Sequence, residues 1–201
     1  IASRVDDYTT PAIFMKRRIN DCSKGFIQQG KIIPTGVNPL FSQSLEKSKR
    51  SRSDKNIRFL CVSRLSKEKR VDVAVKAFIE ANIPGSRLDI VGSGDQLSLL
   101  RKLANDRKDI FFHNHVSNID NLAKFYRDAD VFILPSYRFD TQAITLSEAP
   151  APKAIADCMI QLSVLVLRQK MAKESTKIAG DLQPRAMAEH YIQLYRDLIK
   201  S

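Results

Sequence analysis

Residues 59–94 read FLCVSRLSKEKRVDVAVKAFIEANIPGSRLDIVGSG, and this stretch decides the fold. Phe59-Leu60-Cys61-Val62 is an apolar run of strand length. Val71, Ala74, Val75, Phe78 and Ile79 then recur at the spacing of one helix face. Leu88-Asp89-Ile90-Val91 is a second strand, and Gly92-Ser93-Gly94 ends it in a turn. A strand, a crossover helix and another strand make a parallel pair, because parallel neighbours need a long connection.

The alternation continues downstream. Leu97, Leu100, Leu103 and Ala104 form a second helical stripe, and Ile110-Phe111-Phe112 a third strand. Leu122, Phe125 and Tyr126 mark a short helix, and Val131-Phe132-Ile133-Leu134 a fourth strand closed by Pro135. The expected class is α/β, a Rossmann-like parallel sheet flanked by helices. Upstream, Thr10-Pro11 is expected to cap a helix running through Ile13, Phe14 and Arg17 to about Cys22. Lys31-Ile32-Ile33 is a short strand before Pro34 and Gly36, and residues 42–55 have the composition of a polar linker. After Glu148-Ala149 the alternation stops. Pro150-Ala151-Pro152 leads into helices expected near 153–162, 165–179 and 184–199.

The chain has 201 residues and a net charge of +11, from 33 basic and 22 acidic side chains. That balance favours anionic partners. The densest basic run, Lys47, Lys49, Arg50, Arg52 and Lys55, is interleaved with serine rather than aromatics. No helix-turn-helix, RRM or zinc signature accompanies it, so nucleic acid is not the expected partner. No apolar stretch reaches the ~20 residues of a membrane span. Cys22, Cys61 and Cys158 are scattered, without Cys-x-x-Cys or metal-ligand spacing, which fits a reduced, cytoplasmic setting. The first residues, Ile1-Ala2-Ser3-Arg4, lack an initiator Met and read as cut from a longer chain.

In an open parallel sheet, ligands bind beyond the carboxyl ends of the strands. The residues following each strand are therefore the candidates. Arg64 and Lys69 place two cations after the first strand, with Glu68 between them. Two cations suit a diphosphate leaving group, whose charge grows as it departs; a solvated basic loop would have the same composition. Asp140 is placed to cap a helix whose first amides, at Thr141, Gln142 and Ala143, would face a phosphate or sugar oxygen. Glu148 falls about two turns on, where a carboxylate can accept both ribose hydroxyls. A plain cap and a surface acid is the bland alternative. His113 and His115 flank a strand end, placed either to face the cleft or to sit as partly buried polar residues. Tyr191, Leu194, Tyr195 and Leu198 make a packing stripe on the last helix.

Several of these pieces occur in a fixed order: Arg64-x4-Lys69, Ile90-Val91-Gly92-Ser93-Gly94, Asp128-Ala129-Asp130-Val131-Phe132-Ile133-Leu134-Pro135-Ser136, and Asp140-x7-Glu148-Ala149. Together they resemble the C-terminal, donor-binding domain of retaining family-4 glycosyltransferases of the two-domain GT-B fold, the glycosyl transferases of group 1. Ile33-Pro34-Thr35-Gly36-Val37-Asn38 resembles the segment that opens that domain. The resemblance implies that Arg64 and Lys69 bind the diphosphate of a UDP-sugar, Asp140 contacts the donor sugar and Glu148 the ribose. Thr141, Gln142, Ala143 and Gly92 would line the donor site, and the backbone near Val116 would hold the base. It implies no metal and no cofactor apart from the donor itself. Residues 1–30 become an N-terminal helix and inter-domain segment, and residues 31–201 the nucleotide-sugar-binding domain. The implied partners are the nucleotide sugar, an N-terminal acceptor domain outside this sequence, and an anionic membrane face, the chain lying in the cytoplasm or peripherally on the inner membrane.

The chain departs from the pattern in three ways. Asp140 is one methylene shorter than the usual Glu, and Ala143 stands where a Gly or small residue is usual. The Gly-Pro strand and Gly-rich loop expected after Glu148-Ala149 are absent, and Pro152-Lys153-Ala154 resumes the pattern. Asp140-Thr141-Gln142 with Thr145 and Glu148 resembles the subgroup that glucosylates diacylglycerol or cell-wall carriers. Two alternatives stand beside this reading: a non-catalytic nucleotide-sugar-binding module, and a basic nucleic-acid-binding domain.

Overall fold

The computed structural model describes residues 8–11, 13–23, 30–34, 36, 56–136 and 151–200. They divide into two units. The larger comprises residues 56–136 and 151–174, the smaller residues 8–36 and 175–200.

In the smaller unit, strands β1 (Tyr8–Thr10) and β2 (Gly30–Ile32) pair in parallel, with helix α1 (Ile13–Cys22) between them in the chain. The expected cap at Thr10 is corrected. Thr10 ends β1, is buried, and its carbonyl accepts the Ile33 N–H at 2.9 Å, so it belongs to the strand pair and not to the helix, which begins at Ile13. The last helix of the chain, Pro184–Lys200, ties to these strands through Lys31–Asp197 at 3.2 Å and a Thr9–Tyr191 hydroxyl contact at 3.4 Å.

The larger unit carries the predicted alternation. Its strands are β3 (Arg58–Val62), β4 (Arg87–Val91), β5 (Ile110–His113) and β6 (Val131–Phe132). All pair in parallel, in the order β5-β4-β3-β6. The central strands are buried on both faces, which is why they read as continuous apolar runs. The intervening helices are α2 (Val71–Ala81), α3 (Leu97–Ala104) and α4 (Ile119–Asp128). Helix α5 (Pro152–Gln161) packs against α2, and α6 (Leu165–Asp181) follows. The predicted fourth strand is shorter than its apolar run. Its ladder covers two residues, extended by the Ile133 N–H to the Leu60 carbonyl at 2.8 Å, and Pro135 then has no N–H to give.

One core joins Phe59, Cys61, Leu88 and Ile90 of the sheet to Val75 and Phe78 of α2, Leu100 of α3 and Met159 of α5. Phe59 and Phe78 meet edge to face at 5.9 Å. Burying each such ring stabilises the fold by about 2–3 kcal/mol. Burial pushes the Cys61 thiol up to about 12, so this cysteine serves as an inert core residue. Asn82 and Asn105 stop α2 and α3 in the left-handed conformation that asparagine tolerates.

Candidate functional site

The carboxyl edge of the larger sheet is organised by backbone hydrogen bonds between two loops. After β3, the Ser63 N–H donates to Val91 O at 3.1 Å and the Leu65 N–H to Ser93 O at 2.9 Å. The Gln96 N–H returns to Leu65 O at 2.9 Å, and the Gly92 N–H reaches across to His113 O at 3.1 Å. This closeness demands glycine. Gly92 has φ +149°, and a Cβ there would run into the Ser63 carbonyl oxygen.

Above this floor lies a hollow of about 220 Å³, lined among others by Ser63, Arg64, Gly92, Ser93, His115 and Val116. Three residues singled out in the sequence, Arg64, Gly92 and Val116, thus meet at one place, the tips of three adjacent strands. The hollow is smaller than the roughly 300–1,000 Å³ of pockets that enclose a whole small ligand. It has room for part of a nucleotide. Val116 also borders a neighbouring hollow of about 390 Å³ with Lys124 and Asp128.

Arg64 reaches outward, its side chain 78% exposed, with Nη2 3.4 Å from Glu68 Oε1. The Ser66 hydroxyl donates to the same Glu68 oxygen at 2.7 Å. That hydrogen bond first, with the Glu68 amide and the Arg64 and Lys69 charges adding, holds the Glu68 carboxyl below its ordinary range. An ion pair so exposed is worth little to stability, and its arginine is accessible to an anion. Lys69 occupies the single 3₁₀ turn Lys67–Lys69 that leads into α2, and its N–H donates to Ser66 O at 3.0 Å. It belongs to the same corner as Arg64 but is not among the residues lining the hollow.

The two histidines separate. His115 lines the hollow. His113 turns instead to the sheet, with Nε2 2.7 Å from Asp89 Oδ1 and its ring 4.8 Å from that of Phe125. Asp89 is 5% exposed and also receives Arg87, through Nε at 2.8 Å and through Nη2 on the other oxygen. His113 is therefore held, with Arg87, by the buried Asp89 and does not line the hollow. Ser63 and Ser93, absent from the sequence-based candidates, line the hollow and join its two loops through main-chain hydrogen bonds. Asp140, Thr141, Gln142, Ala143 and Glu148 lie outside the described residues. Among the described residues, no group of three His, Cys, Asp or Glu side chains is placed to hold a metal ion, and no helix is long and apolar enough to cross a membrane.

The sequence model of the glycosyl transferases of group 1 matches residues 42–155, more than half of the chain. The chain is 33% identical to alpha-monoglucosyldiacylglycerol synthase of Acholeplasma laidlawii, the match covering 60% of this chain and 33% of that protein. It is 34% identical to the GtfA subunit of a UDP-N-acetylglucosamine–peptide N-acetylglucosaminyltransferase of Streptococcus pneumoniae, covering 60% of this chain and 23% of that protein. The chain thus spans a third or less of the length of these relatives. Among solved structures, the pneumococcal O-GlcNAc transferase GtfA with UDP and GlcNAc superposes with a TM-score of 0.69 at 21% identity, over 100% of this chain and 46% of that one. Sucrose-phosphate synthase from Thermosynechococcus elongatus gives 0.73 at 18% identity, over 99% and 60%. At these identities the superpositions establish the shared fold.

Proposed function

The chain belongs to the group 1 glycosyltransferases, and from that premise we propose that its larger unit binds the UDP part of a sugar donor. The reaction would be a retaining, metal-independent transfer to a lipid or polysaccharide acceptor held by a domain outside this sequence. The observation that carries this reading is the hollow at the carboxyl edge of the sheet, where Arg64, Gly92 and Val116 converge. An arginine at that edge supplies two parallel N–H donors suited to a phosphate. Gly92 lets the two loops close into the floor of the hollow, and Val116 offers an apolar edge and main-chain groups to a base. UDP is supported by one relative, the pneumococcal GtfA, which is named for a UDP-linked donor and solved with UDP bound. A lipid acceptor, and with it an anionic membrane face, is supported by the diacylglycerol-linked relative and by the net charge of +11.

In the proposed step the bond from the anomeric carbon to the β-phosphate oxygen breaks, and the acceptor oxygen bonds to that carbon on the same face. The acceptor proton passes to the departing phosphate. Arg64, with Lys69 at the same corner, would neutralise the charge that gathers on that phosphate. Asp140 would hold the sugar, the amides of Thr141, Gln142 and Ala143 its oxygens or the phosphate, and Glu148 the ribose. Cations supplied by the chain do the work a metal does elsewhere.

Titration calorimetry with UDP tests the reading. Binding heat is expected from the wild type, unchanged by a chelator, and an affinity about tenfold or more lower in Arg64→Ala, the scale of one charge-assisted contact. A wild type that gives no heat overturns it.

A further inference from the structure

A second hollow is built on the same two loops, where they lead into α2 and α3, and among the described residues it shares no lining side chain with the first. It holds about 350 Å³, within the roughly 300–1,000 Å³ that suits a small ligand. Val71 and Leu100, both buried, and Leu99, 54% exposed, give it an apolar lining. Lys67 and Arg70 bring two cations. Asp72 is the acid described beside them, and both its oxygens are engaged, Oδ1 by Arg70 Nε at 3.2 Å and Oδ2 by Lys76 Nζ at 3.7 Å. Arg70 uses only Nε on Asp72, so among the described residues its two terminal nitrogens have no hydrogen-bond partner, and Lys67 makes no ion pair. Arg70 also holds its place under strain. It sits at φ 49°, ψ 35°, in the left-handed region between the Lys67–Lys69 turn and α2. The other non-glycine residues at positive φ among those described are Asn82, Asn105 and Asp106, types that tolerate it. Glycine would make this turn without strain; what arginine adds is a side chain at the hollow.

We propose that this hollow binds a small organic phosphate, a phosphomonoester, at a site separate from the donor's. The free edge of the Arg70 guanidinium offers parallel N–H groups to two phosphate oxygens, and the Lys67 ammonium meets the third. Two cations against one acid already engaged on both oxygens make the hollow a place for an anion. The apolar lining selects an organic one, since a bare ion would leave Val71 and Leu99 without a contact. Arg64, Gly92 and Val116 do not line this hollow, so the inference stands apart from donor binding.

Proton–nitrogen correlation NMR on the isotope-labelled 201-residue chain tests it, with phenyl phosphate and inorganic phosphate as separate titrants. Phenyl phosphate should shift the amides of Lys67, Arg70, Asp72 and Gln96 and saturate at about millimolar concentration, the range for so small a ligand. Inorganic phosphate should bind about fivefold more weakly, for want of the apolar contact. Lys67→Ala, at an exposed position, should weaken phenyl phosphate about fivefold and Arg70→Gly about tenfold or more. Arg64→Ala should leave it unchanged. Because glycine relieves the left-handed strain, Arg70→Gly should melt no lower than the wild type. Phenyl phosphate binding that survives both Lys67→Ala and Arg70→Gly overturns the proposal, and Arg70 is then a strut for Asp72. Shifts confined to Arg64, Gly92 and Ser93 and abolished by Arg64→Ala overturn it too, since the phosphate then sits in the donor hollow. The absence of any saturable shift does the same. The UDP titration is read separately: UDP heat without phosphate shifts at Lys67 and Arg70 sinks this site alone, and those shifts without UDP heat sink donor binding alone.

Discussion

Asp89 and Glu68 are carboxylates of the same four-stranded unit, each facing an arginine close by in sequence. Asp89 is 5% exposed, grips Arg87 with both oxygens and takes a third hydrogen bond from His113. Glu68 stands at an open corner, with Arg64 78% exposed and one contact of 3.4 Å between them. The same pair of residue types therefore does two jobs, and burial decides which. The buried carboxylate joins β4 to β5, with the Arg87 guanidinium also 4.5 Å above the Phe111 ring. The open set leaves a cation at the strand tips where a ligand can reach it.

The sharpest way to break this contrast is Asp89→Ala. It leaves the partly exposed Arg87 guanidinium and His113 ring without their shared acceptor, so about 1–3 kcal/mol of unfolding free energy should be lost. A denaturant titration reads this, and a loss under about 0.5 kcal/mol, the size of an ordinary surface change, would show that the clamp is not structural. Gly92→Ala comes next. The alanine must hold a φ that L-residues avoid while its methyl meets the Ser63 carbonyl, which should cost about 2 kcal/mol and weaken UDP binding together. Calorimetry and thermal melting on one sample separate this from Arg64→Ala, which should lose affinity and keep its melting temperature. Glu68→Gln should do least, with a melting temperature close to the wild type. The sign of its pH dependence is fixed by the lowered carboxyl. Whatever stability the Glu68 charge contributes is fully present above the ordinary carboxyl value of 4.5 and fades as pH falls through the lowered folded value. The melting difference between wild type and Glu68→Gln should therefore stay constant from pH 7 to pH 5; a difference that grows across that range would contradict the Ser66 and Arg64 contacts.

The same contrast shows where sequence reading reaches. The strands and helices of the larger unit follow from periodicity alone, because buried parallel strands must be apolar runs and surface helices must carry a stripe. Arg64 follows from one topological rule about strand ends, and Gly92 and Val116 from the family resemblance. Assigning His113 and His115 needs the register between β4 and β5, which pairs Val91 with His113 and so sets His113 on the face of Asp89. No local pattern carries that information. Thr10 misled for a similar reason: its partner strand begins twenty residues later, and the Thr-Pro pair by itself matches a helix cap. Ser63 and Ser93 went unseen because their part is played by main-chain atoms, which every residue type possesses. The acids at 140 and 148 rest on the family pattern.

The cross-links that join the Ser63–Leu65 loop to the Ser93–Gln96 loop bear on kinetics. Two loops tied in this way move as one piece. A ligand landing on them meets a surface already fixed in place and need not freeze a wandering segment before contacts form. Capture would then run at the pace of encounter, and differences among donors would appear as how long each one stays.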